Sequence, residues 1–384
     1  MTLDSTLTQE QPLLQPKMFL RPAIAWATVA MFLIFGSDWM QHLSNHAIGI
    51  SLFAWLFVVI VWGSFGVVHE AEELASLLGE PVGTLVLTLS IVLIEVVLIS
   101  AVMLGAGDTA TLARDTMYAV LMIVLNGVVG IGLLIGGMRH HEQAYNLHGA
   151  SAFLAVIIPL AMIALVLPSF TASTPDGSLT SVQAVSFSIL TIGLYGLFLW
   201  LQTGRHQGYF VAPRSDTDAI VPEEPPAPPR RARKGEMALH LIMLLVNILP
   251  IVILSKSLAK VLDYGIAATG APHALGGVII AMLVFTPEGI SALIAIRRDQ
   301  LTRAINLCLG GAASTVGLTV PAVLAIGLFT GKPVVLGLPP ASMVVLASTL
   351  VLSTLTFSGW RTTMLEGAVH LSMFVVFLVL VFSP

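Results

Sequence analysis

The chain has 384 residues, of which 56% are hydrophobic and only 10% charged, with a formal net charge of −4. A soluble domain carries about 25% charged residues, so this composition excludes one and reads as an all-α polytopic membrane protein whose main partner is the lipid bilayer. The small net charge says nothing useful about nucleic acid, and no nucleic-acid partner is expected. The single cysteine, Cys308, excludes intramolecular disulfides and most thiolate metal sites, and reads as a small packing residue.

With Asp4 and Glu10 in place of a basic start and an apolar run, the first twenty residues do not read as a cleaved leader. Eleven apolar segments follow, near residues 22–37, 47–67, 82–104, 116–138, 150–169, 181–202, 238–258, 274–296, 303–329, 334–356 and 363–383. Each approaches the roughly twenty residues that a helix needs to cross the hydrocarbon core. The first is short and runs into SDWMQH. Placing the N-terminus inside puts thirteen Lys and Arg residues on the inner side and four (Arg114, Lys256, Lys260 and Lys332) on the outer. That bias predicts a cytoplasmic N-terminus, an outer C-terminus and an odd number of spans in the plasma membrane.

Residues 1–45 thus form a cytoplasmic N-terminus and first helix, and 46–202 hold five spans. Residues 203–237 form a Pro-rich, charged cytoplasmic linker around VPEEPPAPPRRARKGE, and 238–384 hold five more spans. Because five is odd, the two sets enter the membrane from opposite sides, the plan of inverted five-helix repeats with a site at the midplane between them.

The third span, VGTLVLTLSIVLIEVVLISAVML, carries one charge, Glu95, near its middle, and the eighth, LGGVIIAMLVFTPEGISALIAI, carries Glu288. Gly83 precedes Glu95 by twelve residues, and Gly276 precedes Glu288 by twelve. A charge at mid-bilayer costs about 2.5–3.5 kcal/mol on insertion scales and marks an ion pathway. The following spans correspond as well: Arg114 precedes Asn126 by twelve residues, and Arg303 precedes Thr315 by twelve. Gly127, Gly310 and Gly311 permit close helix approach there, while Asn126, Ser314 and Thr315 offer oxygens to a cation.

A carboxylate in low dielectric is stable as a neutral acid or as a cation ligand, so each glutamate is set up for proton/cation exchange. Two carboxylates balance one Ca²⁺, and two protons restore neutrality when it leaves. Ca²⁺ takes six to eight oxygens, so hydroxyls, water and a carbonyl freed by Pro287 would join the glutamates. No cofactor is required beyond the transported ions: Ca²⁺ and H⁺, or Na⁺ and K⁺.

Other carboxylates read more plainly. Glu80 in LGEPVG sits at the inner mouth of the third span as an ion-path candidate. Glu70, Glu72 and Glu73 in VHEAEELASLL read as a solvated face of a short amphipathic stretch, and Glu366 with His370 as a helical pair. His69 and Glu70 begin a zinc-protease pattern whose second histidine is missing, since position 73 is Glu73. GAGD at 105–108 matches intramembrane aspartyl proteases, but the upstream aspartates, Asp4 and Asp38, lack the required setting. An intramembrane protease is therefore a remote alternative, and GAGD reads as an outer turn.

Three long motifs, LGEPVGTLVLTLSIVLIEVVLIS, LARDTMYAVLMIVLNGVVGIGLLIGG and TPEGISALIAIRRDQLTRAINLCLGGAASTVGLTVP, resemble the bacterial ChaA-type calcium/proton antiporters of the cation/calcium exchanger superfamily. The resemblance covers nearly all of the chain after about residue 20. It implies a five-plus-five helix core behind an extra first helix, and antiport of Ca²⁺, or of Na⁺ and K⁺, against protons. It also implies that Glu95 and Glu288 are the two essential acids, with Asn126 and Ser314 at polar positions on the partner helices. The sequence departs from many proton-coupled relatives, which carry Gly-Asn-Ala-(Val/Ala)-Glu before each acid where this chain has IVLIE and VFTPE.

Overall fold

The computed structural model describes residues 16–79, 82–104, 110–212 and 234–383. Among the described residues eleven apolar helices follow in succession; nine are long enough to cross a membrane, and the apolar stretches Leu85–Ala101 and Pro340–Thr356 are shorter. The eleven are α1 (Pro16–Gln41), α2 (His46–Leu78), α3 (Val82–Met103), α4 (Leu112–His140), α5 (Leu147–Phe170), α6 (Ser181–Thr203), α7 (Lys234–Thr269), α8 (Ala274–Arg297), α9 (Leu301–Thr330), α10 (Pro340–Thr356) and α11 (Met364–Phe382). Helix is what these sequences must form, because hydrocarbon offers no partner to a backbone N–H or C=O. Polar residues set the starts. Asn45 caps α2, Asn146 caps α5, and the Thr180/Gln183 and Thr363/Glu366 pairs close capping boxes on α6 and α11.

Three helices change pitch inside the membrane. In α4 and α9 a wider π-helical turn interrupts the α-helix, at Ile123–Val128 and Thr315–Thr319 respectively. Pro321 follows the second at once and supplies no N–H. In α5, Pro159 precedes a third such stretch, Met162–Val166.

The helices sort into a core and a surround. α4, α9 and α8 are 72, 67 and 61% buried over their most apolar windows, whereas α6 and α11 are 28 and 22% buried and show broad apolar faces. α4 packs on α8, α8 on α9, and α3 on both α8 and the π-turn of α9. α11 lies along α4, α6 lies along α9, and α2 packs lengthwise on α7.

The connections between helices pair in a matching way at both ends. At one end Gln143–Ala144, between α4 and α5, forms a two-residue antiparallel ladder with Arg361–Thr362, between α10 and α11. At the other, Ser178, between α5 and α6, bridges Val335, between α9 and α10, and the Gly177 carbonyl accepts from the N–H groups of Leu336 and Gly337.

Several boundaries differ from the sequence reading. The tenth helix starts at Pro340 rather than near residue 334. Pro333, Pro339 and Pro340 oppose helix there, and the N–H groups of Val335 and Leu338 bond instead to the carbonyls of Ala110 and Leu165. VHEAEELASLL is no separate amphipathic stretch but the end of the 33-residue α2, and Glu70 is not solvated. It is buried and lies 2.7 Å from His240 Nδ1 of α7. Only Glu72 of the three is exposed. The linker begins with an ordered turn, Gln207–Phe210, held where Asn306 donates to the Phe210 carbonyl and Asn146 to the carbonyls of Gly208 and Val211. Its charged stretch at 213–233 and GAGD at 105–108 lie outside the described residues.

Candidate functional site

The centre of the molecule is built from the middles of α3, α8 and α9. Glu95 is 1% exposed, and its Oε2 accepts hydrogen bonds from the hydroxyls of Thr315 (3.0 Å) and Thr319 (2.9 Å). Those threonines stand four apart on one face of the α9 π-turn, which is why two hydroxyls reach one oxygen. Oε1 of Glu95 is buried with no hydrogen-bond partner among the described residues.

Glu288 follows Pro287 on α8, is 5% exposed, and has a buried Oε2 without a partner among the described residues. It lies within electrostatic reach of Glu95 and of Glu72 on α2. Beside it, Gly289 faces Val128 at the end of the α4 π-turn, where an added Cβ would stand 3.3 Å from Val128 Cγ2. Cys308 of α9 is buried within reach of the same carboxylate.

The other sequence candidates divide. Thr315 joins Glu95. Ser314, beside it, is 4% exposed and donates to the Gly311 carbonyl of its own helix at 2.9 Å. Asn126 is completely buried and turned toward α10 and α11. Its Nδ2 donates to Thr349 Oγ1 at 2.7 Å, and its Oδ1 lies 3.0 Å from Nδ1 of His370. Both ends of the amide are thus engaged away from the glutamates. Glu80 lies outside the described residues.

The pairing of Glu366 with His370 gives way to two separate roles. The Glu366 carboxylate accepts from the backbone N–H and hydroxyl of Thr363, capping α11, while His370 bonds to Asn126 and to Thr356 (3.0 Å). Sequence reasoning missed Thr319, although its place four residues after Thr315 in STVGLTVP was available as a signal. It also missed Thr349, Thr356 and the Glu70–His240 pair, whose members are too far apart in sequence to leave a local pattern.

Chemically the groups that meet Glu95 are hard oxygen donors. Among the described residues no group of three or more His, Cys, Asp or Glu side chains is placed to hold a resident metal. Two carboxylates, two hydroxyls and helix carbonyls suit a transient Ca²⁺ or alkali cation rather than a tightly held transition metal.

The comparisons agree with this architecture. A family model described as sodium/calcium exchanger protein matches residues 48–204 and 239–383. The chain is 40% identical over 321 residues to the putative ionic transporter y4hA of Sinorhizobium fredii (strain NBRC 101917 / NGR234), covering 83% of this chain and 85% of that one. It is 37% identical over 337 residues to the sodium-potassium/proton antiporter ChaA of Escherichia coli (strain K12), covering 88% and 89%. Its fold is similar to the crystal structure of the Ca²⁺/H⁺ antiporter YfkE, with a TM-score of 0.68 at 16% identity over 96% of this chain and 100% of that one. With both five-helix segments matched, the chain is a multi-pass membrane protein that belongs to the sodium/calcium exchanger protein family.

Proposed function

We propose that the protein is a secondary active antiporter of a bacterial plasma membrane, a transporter and no enzyme, that exports Ca²⁺ in exchange for protons. The observation that carries this reading is a pair of mid-helix glutamates, each buried, each with one oxygen unpartnered among the described residues and neither bonded there to a Lys or Arg. Burial without a basic partner is tolerable for a neutral acid or for a cation ligand, and exchange alternates between the two. Ca²⁺ entering from the cytoplasmic side displaces a proton from each carboxylate. The hydroxyls of Thr315 and Thr319, which donate to Glu95 when no cation is present, turn their lone pairs toward the ion. Protons arriving from the outer side reverse the step.

Alternating access follows from a division of labour among the helices. α2 and α7 pack on one another, and their motion against α3, α4, α8 and α9 opens the carboxylates to one side at a time. The N-terminus is cytoplasmic and the C-terminus outside in this reading, on the strength of the Lys and Arg bias. Residues 46–202 and 238–384 form the inverted repeats, supported by the matching π-turns and by loop pairs that recur at both ends.

A second reading is exchange of Na⁺ or K⁺ for protons, favoured by the 37% identity to the sodium-potassium/proton antiporter. One glutamate then keeps its proton while the other holds the alkali ion. Proteoliposomes with an imposed pH gradient and a pH-sensitive dye separate the two. Ca²⁺ dissipating the gradient supports calcium/proton exchange, and Na⁺ or K⁺ alone doing so moves the assignment to monovalent ions. Silence with all three cations contradicts both.

A further inference from the structure

We propose that His370 is a positioning residue for the cation site: from α11 it clamps the π-helical turn of α4 and so holds the backbone that packs beside Glu288. The inference rests on the reading of Glu288 as a cation ligand and adds a group that the exchange chemistry does not itself use.

The clamp is fully enclosed, with His370 and Asn126 both 0% exposed. The ring reaches the turn at Asn126, whose Oδ1 lies 3.0 Å from Nδ1. Asn126 Oδ1 can only accept, so Nδ1 donates toward the turn, while Nε2 faces the Thr356 hydroxyl at 3.0 Å. Thr349 takes the remaining end of the Asn126 amide, so α10 and α11 hold the turn together. α8 packs on the same turn, and Val128 faces Gly289, next to Glu288, closely enough that an added Cβ would stand 3.3 Å from Val128 Cγ2. A shift of the turn therefore shifts the carboxylate.

The other half of the molecule shows the same relation. Tyr195 of α6, 2% exposed, covers the π-turn of α9, where a Cβ on Gly317 would stand 2.8 Å from the ring. Each π-turn at the site is thus backed by a polar ring from the last helix of the opposite half. An arrangement made twice on non-homologous ring types is tied to the turn itself, not to one side chain's packing.

The test measures cation-driven proton flux in proteoliposomes, normalised to monodisperse protein, with the cation that supports transport in the wild type. His370→Leu removes both ring nitrogens, and His370→Asn keeps a donor at the δ position. The clamp predicts that His370→Leu raises the half-saturating cation concentration about tenfold or more, as loss of a group supporting a metal ligand does, with maximal rate little changed. His370→Asn recovers most of that loss. In an Asn126→Ala background His370→Leu adds little, because the effect passes through the turn. Should His370→Leu yield no folded protein, Thr356→Val keeps the ring and removes one of its bonds, with an expected rise of about threefold.

An unchanged half-saturating concentration, or effects of His370→Leu and Asn126→Ala that multiply, overturns the inference. Glu288→Gln run beside them separates the two levels. If it transports like the wild type, the reading of the site fails and the clamp with it. If it is silent while His370→Leu and Thr356→Val keep wild-type half-saturation, the clamp alone is wrong.

Discussion

Glu95 and Glu288 are chemically alike and differently furnished. Two hydroxyls converge on one oxygen of Glu95, whereas Glu288 Oε2 meets no donor among the described residues. Thr319→Val keeps the shape of the π-turn and removes one donor. A hydrogen bond to a charged group contributes about 1.5–3 kcal/mol, so half-saturation by the cation should shift about tenfold or more while the protein folds normally. Concentration dependence of the flux checks this. Proton and cation compete for the same carboxylates, so apparent cation affinity falls as the pH of the loading side falls. The slope counts protons: about 100-fold per pH unit if two are displaced and about tenfold if one. Measuring it between pH 6 and pH 8 therefore also distinguishes the divalent from the monovalent reading. Both glutamates were visible in the sequence because a single charge within twenty apolar residues has few structural uses. The direction of Asn126 was not visible, since an amide at mid-helix can turn to either neighbour and the partners that claim it, Thr349 and His370, lie 223 and 244 residues away.

The helices were legible as elements because their apolar length alone defines them, and among the described residues nine long spans and two shorter apolar helices stand where eleven spans were expected. Their interiors and ends were less so. The π-turns in α4 and α9 arise from glycines and from Pro321 acting within packed neighbours, and no periodicity announces them. α2 and α7 extend past their apolar runs as a packed pair, joined near one end by Glu70 and His240. Removing one partner leaves the other buried without its hydrogen bond. Glu70→Leu should lower stability by about 1–3 kcal/mol, and Glu70→Leu with His240→Leu should recover part of the loss. Thermal unfolding in detergent reads both. A loss in the double variant equal to the sum of the Glu70→Leu and His240→Leu losses would show that the pair contributes nothing of its own.

At the scale of the whole molecule, pairing of the α4–α5 and α10–α11 connections at one end corresponds to pairing of the α5–α6 and α9–α10 connections at the other. An inverted repeat produces that correspondence, and the odd number of spans in each half makes the inversion possible. In the orientation proposed from the Lys and Arg bias, the first pair of connections lies inside. Ser173 and Ser358 are exposed on opposite pairs, and the one native cysteine is buried. In intact cells a membrane-impermeant maleimide should therefore label Ser173→Cys readily and Ser358→Cys only after permeabilisation; the reverse pattern would invert the orientation. In the proposed exchange the same two carboxylates carry protons in one state and the cation in the other. Proton release on adding the transported cation to purified protein in weakly buffered detergent reads this directly. Release from the wild type and its loss in Glu95→Gln and Glu288→Gln is the predicted result, and release undiminished in either variant would contradict the account.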